Sequence, residues 1–553
     1  MSHYIGFCFP LLLFILPLVW TSNQPEVSIR QGVVRGLYKR SYIGNKPYSS
    51  FEGIPYARPP QGKKRFREPE PTKPWIGIYN ATKEPPRCLQ INIKIFNISE
   101  TLDNQNEVVG SEDCLYINVY TPKLPNEGGN EKLLDVIAFI HGGGFIALHS
   151  TFHNADYLLE KDLVLVTFNY RLGPLGFLST EDRIVPGNNG LKDQVLALKW
   201  IQENIAAFGG NPNSVTIAGI SAGGASCHLH LLSPLSKGLF KGAICMSGVS
   251  LSPWVISRTS KEKAVVLADQ LGCPTNDTKV MVKCLQKRPA DHIVALTKYF
   301  WFTKASSIPF SPVVEPPGPN AFISKEPEDI LLEKGASDVP LLLTYVPDEG
   351  LLFGARFLGK PETWDQAVSF LASFGYSVPP EKSSEISKKI KEHYKIDNST
   401  QGGFNLLKMY GDSAFLLGIG KAAKLHASLY SSPVYVYQFS YRGQLSHSKT
   451  FSDENLGIIH CDDVIYIAGS ALTGRFSSES DTQVAITMVD IWASFAANGS
   501  LGSDFESVSS HLPQLVYTDI EGPRYLKKVI VDGIGEEAFW DSLKASANNH
   551  EEL

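Results

Sequence analysis

The feature that most constrains this sequence is the string Gly219-Ile220-Ser221-Ala222-Gly223, which lies between an apolar run and a helical pattern. Residues 214–218 have the composition of a buried strand, and the residues from Ala222 onward have helical spacing. Glycines beside a serine permit a tight turn that presents the hydroxyl at the N-terminus of the helix. The string therefore predicts a serine nucleophile on a strand-turn-helix unit. A glycine-rich turn with an incidental serine is the alternative, which the flanking elements disfavour.

Strands and helices alternate around this string. Residues 136–140 and 163–169 form further short apolar runs, and helical spacing follows the turn at residues 188–190. Alternation of this kind predicts an α/β protein with a mostly parallel sheet that helices cover on both faces. Residues 261–400 have helix-like patterns and proline-rich loops. Because no change of composition marks a linker, we expect one domain over residues 23–549, with helical insertions.

A glycine loop precedes the serine along the chain. His141-Gly142-Gly143-Gly144-Phe145 follows the strand predicted at residues 136–140. Backbone without side chains can aim N–H groups at the negative charge that forms when a serine attacks a carbonyl. The N–H of Ala222, directly after the serine, is the third candidate donor.

A serine nucleophile also needs a base and an acid that orients the base, in the order serine, acid, histidine. His460 meets this order in the loop at residues 457–463, whereas His447 lies in a Ser- and Lys-rich stretch that predicts a solvated loop. Either Asp348 or Glu349 can supply the acid, because both follow the strand predicted at residues 341–345. His149 and His153 lack the Glu of a zinc-binding helix. We expect neither a metal nor a cofactor.

Charge and targeting patterns limit the partners and the compartment. The chain has 553 residues, with 51 basic and 56 acidic side chains and a formal net charge of −5, which argues against nucleic acid as a partner. Residues 1–22 resemble a secretory signal peptide, and no later stretch reaches transmembrane length. Residues 550–553, His-Glu-Glu-Leu, resemble an endoplasmic-reticulum retention address. Secretion and retention in the reticulum both remain open.

Cysteines and glycosylation acceptors agree with the secretory route. Cys88 with Cys114, and Cys273 with Cys284, have the spacing of local disulfide loops. Cys227, Cys245 and Cys461 lie in apolar surroundings that predict inert buried thiols. Candidate acceptors for N-glycosylation are Asn80, Asn97, Asn276, Asn398 and Asn498.

With these motifs in place, the chain resembles the type-B carboxylesterases, in the cholinesterase-like branch of the α/β-hydrolases. The resemblance runs over residues 26–543. It rests on Phe-Glu-Gly-Ile-Pro-Tyr-Ala at 51–57, Ser-Glu-Asp-Cys-Leu-Tyr-Ile-Asn-Val-Tyr at 111–120, Asn-Tyr-Arg-Leu-Gly at 169–173, Phe-Gly-Gly-Asn-Pro at 208–212, and the turn at residues 219–223, called the serine turn below. Residues 226–240 are most similar to those of insect carboxylesterases.

The resemblance implies an α/β-hydrolase fold, a hydrolase of carboxylic esters and specific roles for individual residues. The implied roles are nucleophile for Ser221, acid for Glu349, base for His460, oxyanion donors for Gly143, Gly144 and Ala222, a supporting position beside the acid and base for Ser247, and disulfides Cys88–Cys114 and Cys273–Cys284. Asp348 is the fallback for the acid. The implied partner is a small ester.

Departures from the family narrow the substrate. Cholinesterases have a Glu before the nucleophile and a Trp inside the first disulfide loop, which binds a quaternary ammonium group through its ring face. Here Ile220 precedes Ser221, and no Trp lies between Cys88 and Cys114. Juvenile hormone esterases usually carry Gln at the position of Ile220. We therefore expect uncharged esters.

The alternatives to an ester hydrolase are an inactive binding or adhesion relative, and a protein that sequesters esters or organophosphates through slow turnover. The sequence does not determine an oligomeric state.

Overall fold

The computed structural model describes residues 24–92, 107–126, 132–300, 308–376, 380–450, 452–511 and 513–548. The predicted signal peptide at 1–22, the tail at 550–553 and the acceptor Asn97 lie outside these ranges.

An eleven-stranded mixed sheet organises the described residues, with the strand order β16-β15-β14-β13-β12-β11-β9-β10-β8-β4-β3. The strands are β1 (Glu26–Ile29), β2 (Gly32–Arg35), β3 (Leu37–Arg40), β4 (Pro47–Pro55), β5 (Ile78–Asn80), β6 (Gln90–Ile91), β7 (Val108–Val109), β8 (Tyr116–Thr121), β9 (Leu134–Ile140), β10 (Leu163–Phe168), β11 (Gly210–Ile220), β12 (Gly242–Met246), β13 (Leu341–Tyr345), β14 (Val434–Phe439), β15 (Leu515–Gly522) and β16 (Tyr525–Val531). From β10 through β9 to β15 neighbouring strands are parallel, and at both edges they are antiparallel. The predicted α/β class is confirmed.

Helices connect the parallel strands and form the insertions. They are α1 (Gly173–Phe177), α2 (Asn189–Asn204), α3 (Ala222–Leu232), α4 (Ser260–Gln270), α5 (Thr278–Leu285), α6 (Ala290–Ala295), α7 (Pro327–Leu332), α8 (Leu351–Gly354), α9 (Trp364–Tyr376), α10 (Pro380–Tyr394), α11 (Thr400–Gly411), α12 (Leu417–Leu429), α13 (Ile465–Ala468), α14 (Glu479–Asn498) and α15 (Glu537–Asn548). A π-helical turn, Asp412–Leu416, joins α11 to α12. Over the described ranges, none of these helices combines the length and apolarity that a membrane span needs.

The sheet is buried on both faces, as its apolar strands require. Along β9, Val136, Ala138 and Ile140 pack into one hydrophobic cluster, whereas Ile137 and Phe139 pack into another. Successive side chains of a strand point to opposite faces, so a strand buried on both faces has a continuous apolar run. The two clusters cover the two faces of the sheet, and the carboxyl ends of its central strands lie at one edge because these strands are parallel.

Two disulfides join Cys88 to Cys114 and Cys273 to Cys284. Cys227 and Cys245 are buried free thiols, as predicted, but Cys461 is partly exposed because it follows His460 at a cavity wall. Asn80, Asn276, Asn398 and Asn498 are all exposed, so each could accept a glycan.

Candidate active site

The serine turn has a strained backbone that close packing maintains. Ser221 follows β11 with φ 59° and ψ −121°, a conformation that costs free energy for any residue with a side chain. A Cβ on Gly219 would lie 2.4 Å from the carbonyl carbon of Gly223, and a Cβ on Gly223 would lie 2.0 Å from the Ile140 oxygen. The N–H of Ser221 donates to the Met246 carbonyl at 2.8 Å. Glycine at both positions is therefore a steric requirement of the turn.

The glycine loop lies directly against this turn. A Cβ on Gly142 would lie 3.2 Å from the Cβ of Ser221, and a Cβ on Gly143 would lie 2.1 Å from the Ala147 oxygen. Gly143 and Gly144 have φ of 98° and 60°. Because side chains are excluded there, the loop backbone can approach a group bound to Ser221. Ala222, the first residue of α3, presents its N–H beside the same serine.

Glu349 and His460 meet across two loops at the carboxyl edge of the sheet. His460 Nδ1 lies 2.5 Å from Glu349 Oε2, and both residues are buried, with 2% and 0% exposure. The second oxygen of Glu349 accepts the Val346 N–H at 3.1 Å. An N–H donated from Nδ1 to a carboxylate leaves the lone pair on Nε2, which suits a base. His460 Nε2 has no hydrogen-bond partner among the described residues, and His460 and Ser221 line one cavity.

Asp348, the alternative acid, has a different role in the structure. Its Oδ2 accepts the Ile458 N–H at 2.9 Å, and its backbone pairs with Ile459. It therefore links the loop that carries Glu349 (the acid loop) to the loop that carries His460 (the base loop), and it makes no hydrogen bond to His460. Burial raises the pKa of Asp348, while the N–H of Ile458 opposes that shift.

The prediction of a solvated His447 is wrong. This histidine is 0% exposed. Its backbone N–H donates to Asp462 Oδ1 at 2.8 Å, and its Nε2 lies 3.0 Å from Ser470 Oγ. Polar neighbours in the sequence misled the interpretation because they are buried too: Ser446 Oγ donates to Asp462 Oδ2 at 2.7 Å. Hydrogen bonds between these groups replace those to water.

Two further buried groups lie behind the acid and the base. Burial, reinforced by the charge of Glu349, raises the pKa of Asp463 to about 8. Ser247 follows β12 with φ 47°, and its N–H donates to the Thr344 carbonyl at 2.8 Å. The Ser247 hydroxyl is buried and has no hydrogen-bond partner among the described residues, so no such bond joins it to Glu349 or His460.

An apolar cavity opens over Ser221. Its empty volume is about 770 Å³, including its open mouth. Its walls are mainly apolar: Ile146, Ala147, Leu148, Phe152, Ile220, Trp254, Ile308, Leu352, Phe353 and Phe415. His153 also lines it, and burial lowers the pKa of that histidine to about 4, so it is neutral at pH 7. Within the described ranges, no group of three or more His, Cys, Asp or Glu residues could hold a metal ion.

One aromatic wall of the cavity depends on the π-helical turn, which the sequence did not reveal. Phe415 lies in that turn, and its ring centroid is 4.8 Å from that of His460. The Trp254 indole N–H donates to the Ala414 carbonyl, in the same turn, at 2.9 Å. Turns of this kind occur frequently at functional sites. Here the turn brings one ring against the imidazole and orients another in the wall.

Comparisons with known proteins agree with this geometry. A model of the carboxylesterase family matches residues 23–525. A carboxylic ester hydrolase of Bombus ignitus is 37% identical over 556 residues, with 97% of this chain and 98% of the relative covered. Esterase FE4 of Myzus persicae is 39% identical over 517 residues, with 90% and 89% covered. The crystal structure of juvenile hormone esterase from Manduca sexta, with OTFP covalently attached, superposes with a TM-score of 0.82 at 30% identity and covers 94% of this chain and 100% of that chain.

The chain belongs to the carboxylesterase family, whose members are α/β-hydrolases. It is a hydrolase of carboxylic esters, and the general mechanism of the family proceeds through an acyl group on a serine.

Proposed function

We propose that Ser221, His460 and Glu349 are the catalytic triad through which this chain hydrolyses uncharged carboxylic esters. The observation that carries the proposal is the 2.5 Å contact between Glu349 Oε2 and His460 Nδ1, in a histidine whose Nε2 has no described partner and which shares a cavity with Ser221. Catalytic hydrogen bonds are often long before substrate binds, so the missing bond between His460 and Ser221 agrees with a resting site.

The first half of the reaction transfers the acyl group to the serine. His460 Nε2 takes the proton of Ser221 as its oxygen attacks the ester carbonyl, and Glu349 stabilises the imidazolium that forms. The tetrahedral oxyanion accepts hydrogen bonds from the N–H groups of Gly143, Gly144 and Ala222. His460 then returns the proton to the departing alcohol. In the second half, His460 activates a water molecule that releases the acid and regenerates Ser221.

The wall of the cavity supports the preference for uncharged esters. Ile220 lines the cavity beside Ser221, where cholinesterases carry a carboxylate. None of the described lining residues carries a carboxylate, and His153 is neutral at pH 7. A cationic group would lose its hydration there without gaining a counter-charge. The same residue, Ile220, disfavours juvenile hormone as the substrate.

Removal of the nucleophile tests the assignment. With a short aryl ester, Ser221→Ala should lower kcat by a factor on the order of 10⁶, because triad members act as a unit. Ser428→Ala, which changes an exposed serine on α12, should hydrolyse the ester as the unaltered protein does. Equal and negligible rates in the unaltered protein and in Ser221→Ala would favour an inactive binding relative. A burst of one equivalent of alcohol, followed by very slow release of acid, would favour sequestration.

We also propose that the chain enters the secretory pathway. Two disulfides and four exposed glycosylation acceptors support this proposal, because disulfides form mainly in oxidising compartments. In a eukaryotic host, the unaltered chain should acquire glycans that a glycosidase removes. Deletion of residues 550–553 should increase release into the medium if the tail acts as a retention address. Equal release with and without the tail would indicate ordinary secretion.

A further inference from the structure

The turn that carries His460 has an unfavourable backbone. The N–H of Asp462 donates to the Ile459 carbonyl at 2.9 Å, so His460 and Cys461 are the central residues of a four-residue turn. Cys461 has φ 72°. Turns with a left-handed third residue favour Gly or Asn there, because a Cβ disfavours this conformation. The base therefore lies on a turn that its own sequence does not stabilise.

The side chain of Asp462 closes this turn a second time. Its Oδ2 accepts the Ile459 N–H at 3.0 Å. Two hydrogen bonds therefore join Ile459 and Asp462, one between backbone groups and one to the carboxylate. Its Oδ1 accepts the His447 backbone N–H at 2.8 Å and also lies 3.3 Å from His447 Nδ1. Asp462 is 3% exposed, and a carboxylate that is buried to this extent needs donors on each oxygen.

His447 connects the carboxylate to a third segment. Its Nε2 lies 3.0 Å from Ser470 Oγ, and Ser470 is 4% exposed in the loop after α13. Ser470 Oγ also accepts the Leu472 N–H at 3.2 Å. This order of serine, imidazole and carboxylate matches that of the proposed triad. However, neither Ser470 nor His447 is among the described residues that line the cavity, so the serine has no access to an ester there.

We propose that His447 and Asp462 are positioning residues for ester hydrolysis. They hold the turn Ile459–Asp462 in its strained form and so keep His460 Nε2 directed at the cavity beside Ser221. Neither residue touches the substrate. The inference rests on the proposed role of His460 as the base, and it adds residues that act only through that base.

Two amide variants of His447 separate its two contacts. His447→Asn places an N–H close to the position of Nδ1 and can keep the polar contact with Asp462 Oδ1. His447→Gln places its amide close to the position of Nε2, so its side chain can keep only the contact with Ser470; the backbone N–H of residue 447 donates to Asp462 in both variants. We expect His447→Gln to lower kcat by about ten- to a hundredfold at unchanged KM, because small displacements of a catalytic group have effects of this size. His447→Asn should retain kcat within about threefold, since it keeps a polar group beside Asp462, whose Oδ2 closes the turn.

Relief of the backbone strain gives an independent test. Cys461→Gly removes the Cβ that disfavours φ 72°. If strain is what His447 and Asp462 oppose, the double variant Asp462→Asn with Cys461→Gly should recover about tenfold of the kcat lost in Asp462→Asn alone. No recovery would overturn the strain argument. Equal losses in His447→Asn and His447→Gln, with a raised KM and a lower melting temperature, would assign His447 to core packing and overturn the proposal.

Hydrogen exchange distinguishes failure of this inference from failure of the proposed function. The amides of the peptide containing residues 457–463 should exchange faster in His447→Gln than in His447→Asn, whatever the activity of the protein. Equal exchange in both variants would overturn the positioning role. An unaltered protein that hydrolyses no ester would overturn the proposed function instead, and the exchange difference would then still report on the turn.

Discussion

The two halves of the active site are held together by different means. The serine turn and the glycine loop depend on contact between backbone atoms. Residues 219, 143 and 223 must be glycine, because a Cβ at any of them would clash with the backbone. The acid loop and the base loop depend on side-chain hydrogen bonds to Glu349, Asp462 and Asp348. The first half excludes any added atom, whereas the second half can lose its bonds one at a time. We therefore expect substitutions to act abruptly in the first half and by degrees in the second.

The largest effect should come from Gly223→Ala. Its Cβ would lie 2.0 Å from the Ile140 oxygen and 2.9 Å from the His141 oxygen. Both are backbone oxygens in a closely packed region, so they cannot move to relieve the clash. We expect loss of folded protein or of all reaction with an organophosphate, measured as soluble yield and as covalent labelling. Gly318→Ala is the matched control, because its Cβ would meet only the Pro316 oxygen at 4.0 Å in an exposed loop. Normal labelling of Gly223→Ala would contradict the steric account of the turn.

A smaller effect is expected for Glu349→Gln, which changes the second half without removing atoms. The amide can still bond to His460, but it carries no charge to stabilise the imidazolium and can impose the wrong tautomer. We expect kcat to fall about 10³- to 10⁴-fold, by analogy with the amide variant of the serine-protease triad. Asp348→Asn should lose far less, since Asp348 bonds to the Ile458 N–H and not to the imidazole. If Asp348→Asn lost more activity than Glu349→Gln, the acid assignment would be wrong.

The smallest of these effects concerns stability, at Asp463. Burial and the charge of Glu349 raise its pKa to about 8 in the folded protein, whereas the unfolded chain releases this proton near pH 4. Between these values the folded state binds more protons, so the free energy of unfolding decreases by about 1.4 kcal/mol for each pH unit as pH rises. Above pH 8 both states are ionised, and the decrease ends.

Asp463→Asn should remove this dependence and keep the contact to the Val464 N–H. Relative to the unaltered protein, the variant should gain about 3 kcal/mol of unfolding free energy between pH 5 and pH 7.5, measured by urea denaturation. Asp504→Asn, at an exposed position, should show no such gain. A constant difference between Asp463→Asn and the unaltered protein across this range would contradict a neutral buried carboxyl group.

The same contrast decides how much of the molecule could be predicted from the sequence. Buried strands and close backbone contacts are visible in the composition. Apolar runs predicted β9, β10 and the end of β11 within a few residues, and glycines indicated both loops of the first half. Side-chain hydrogen-bond networks have no comparable pattern in the sequence. The serines around His447 looked like a solvated loop, because a sequence does not show that Asp462 would be buried with them. The π-helical turn at Phe415 was likewise not predicted, because helical spacing does not distinguish a π turn from the α-helices on either side of it.

The order of the site residues along the chain has a consequence for biosynthesis. The glycine loop follows β9 and Ser221 follows β11, whereas His460 follows β14, which pairs with β13 on one side and β15 on the other. Domains generally fold as units during synthesis. A nascent chain therefore holds its nucleophile without the base while residues 222–459 are being made. Enzymatic competence then arises late, once the carboxyl-terminal strands have joined the sheet.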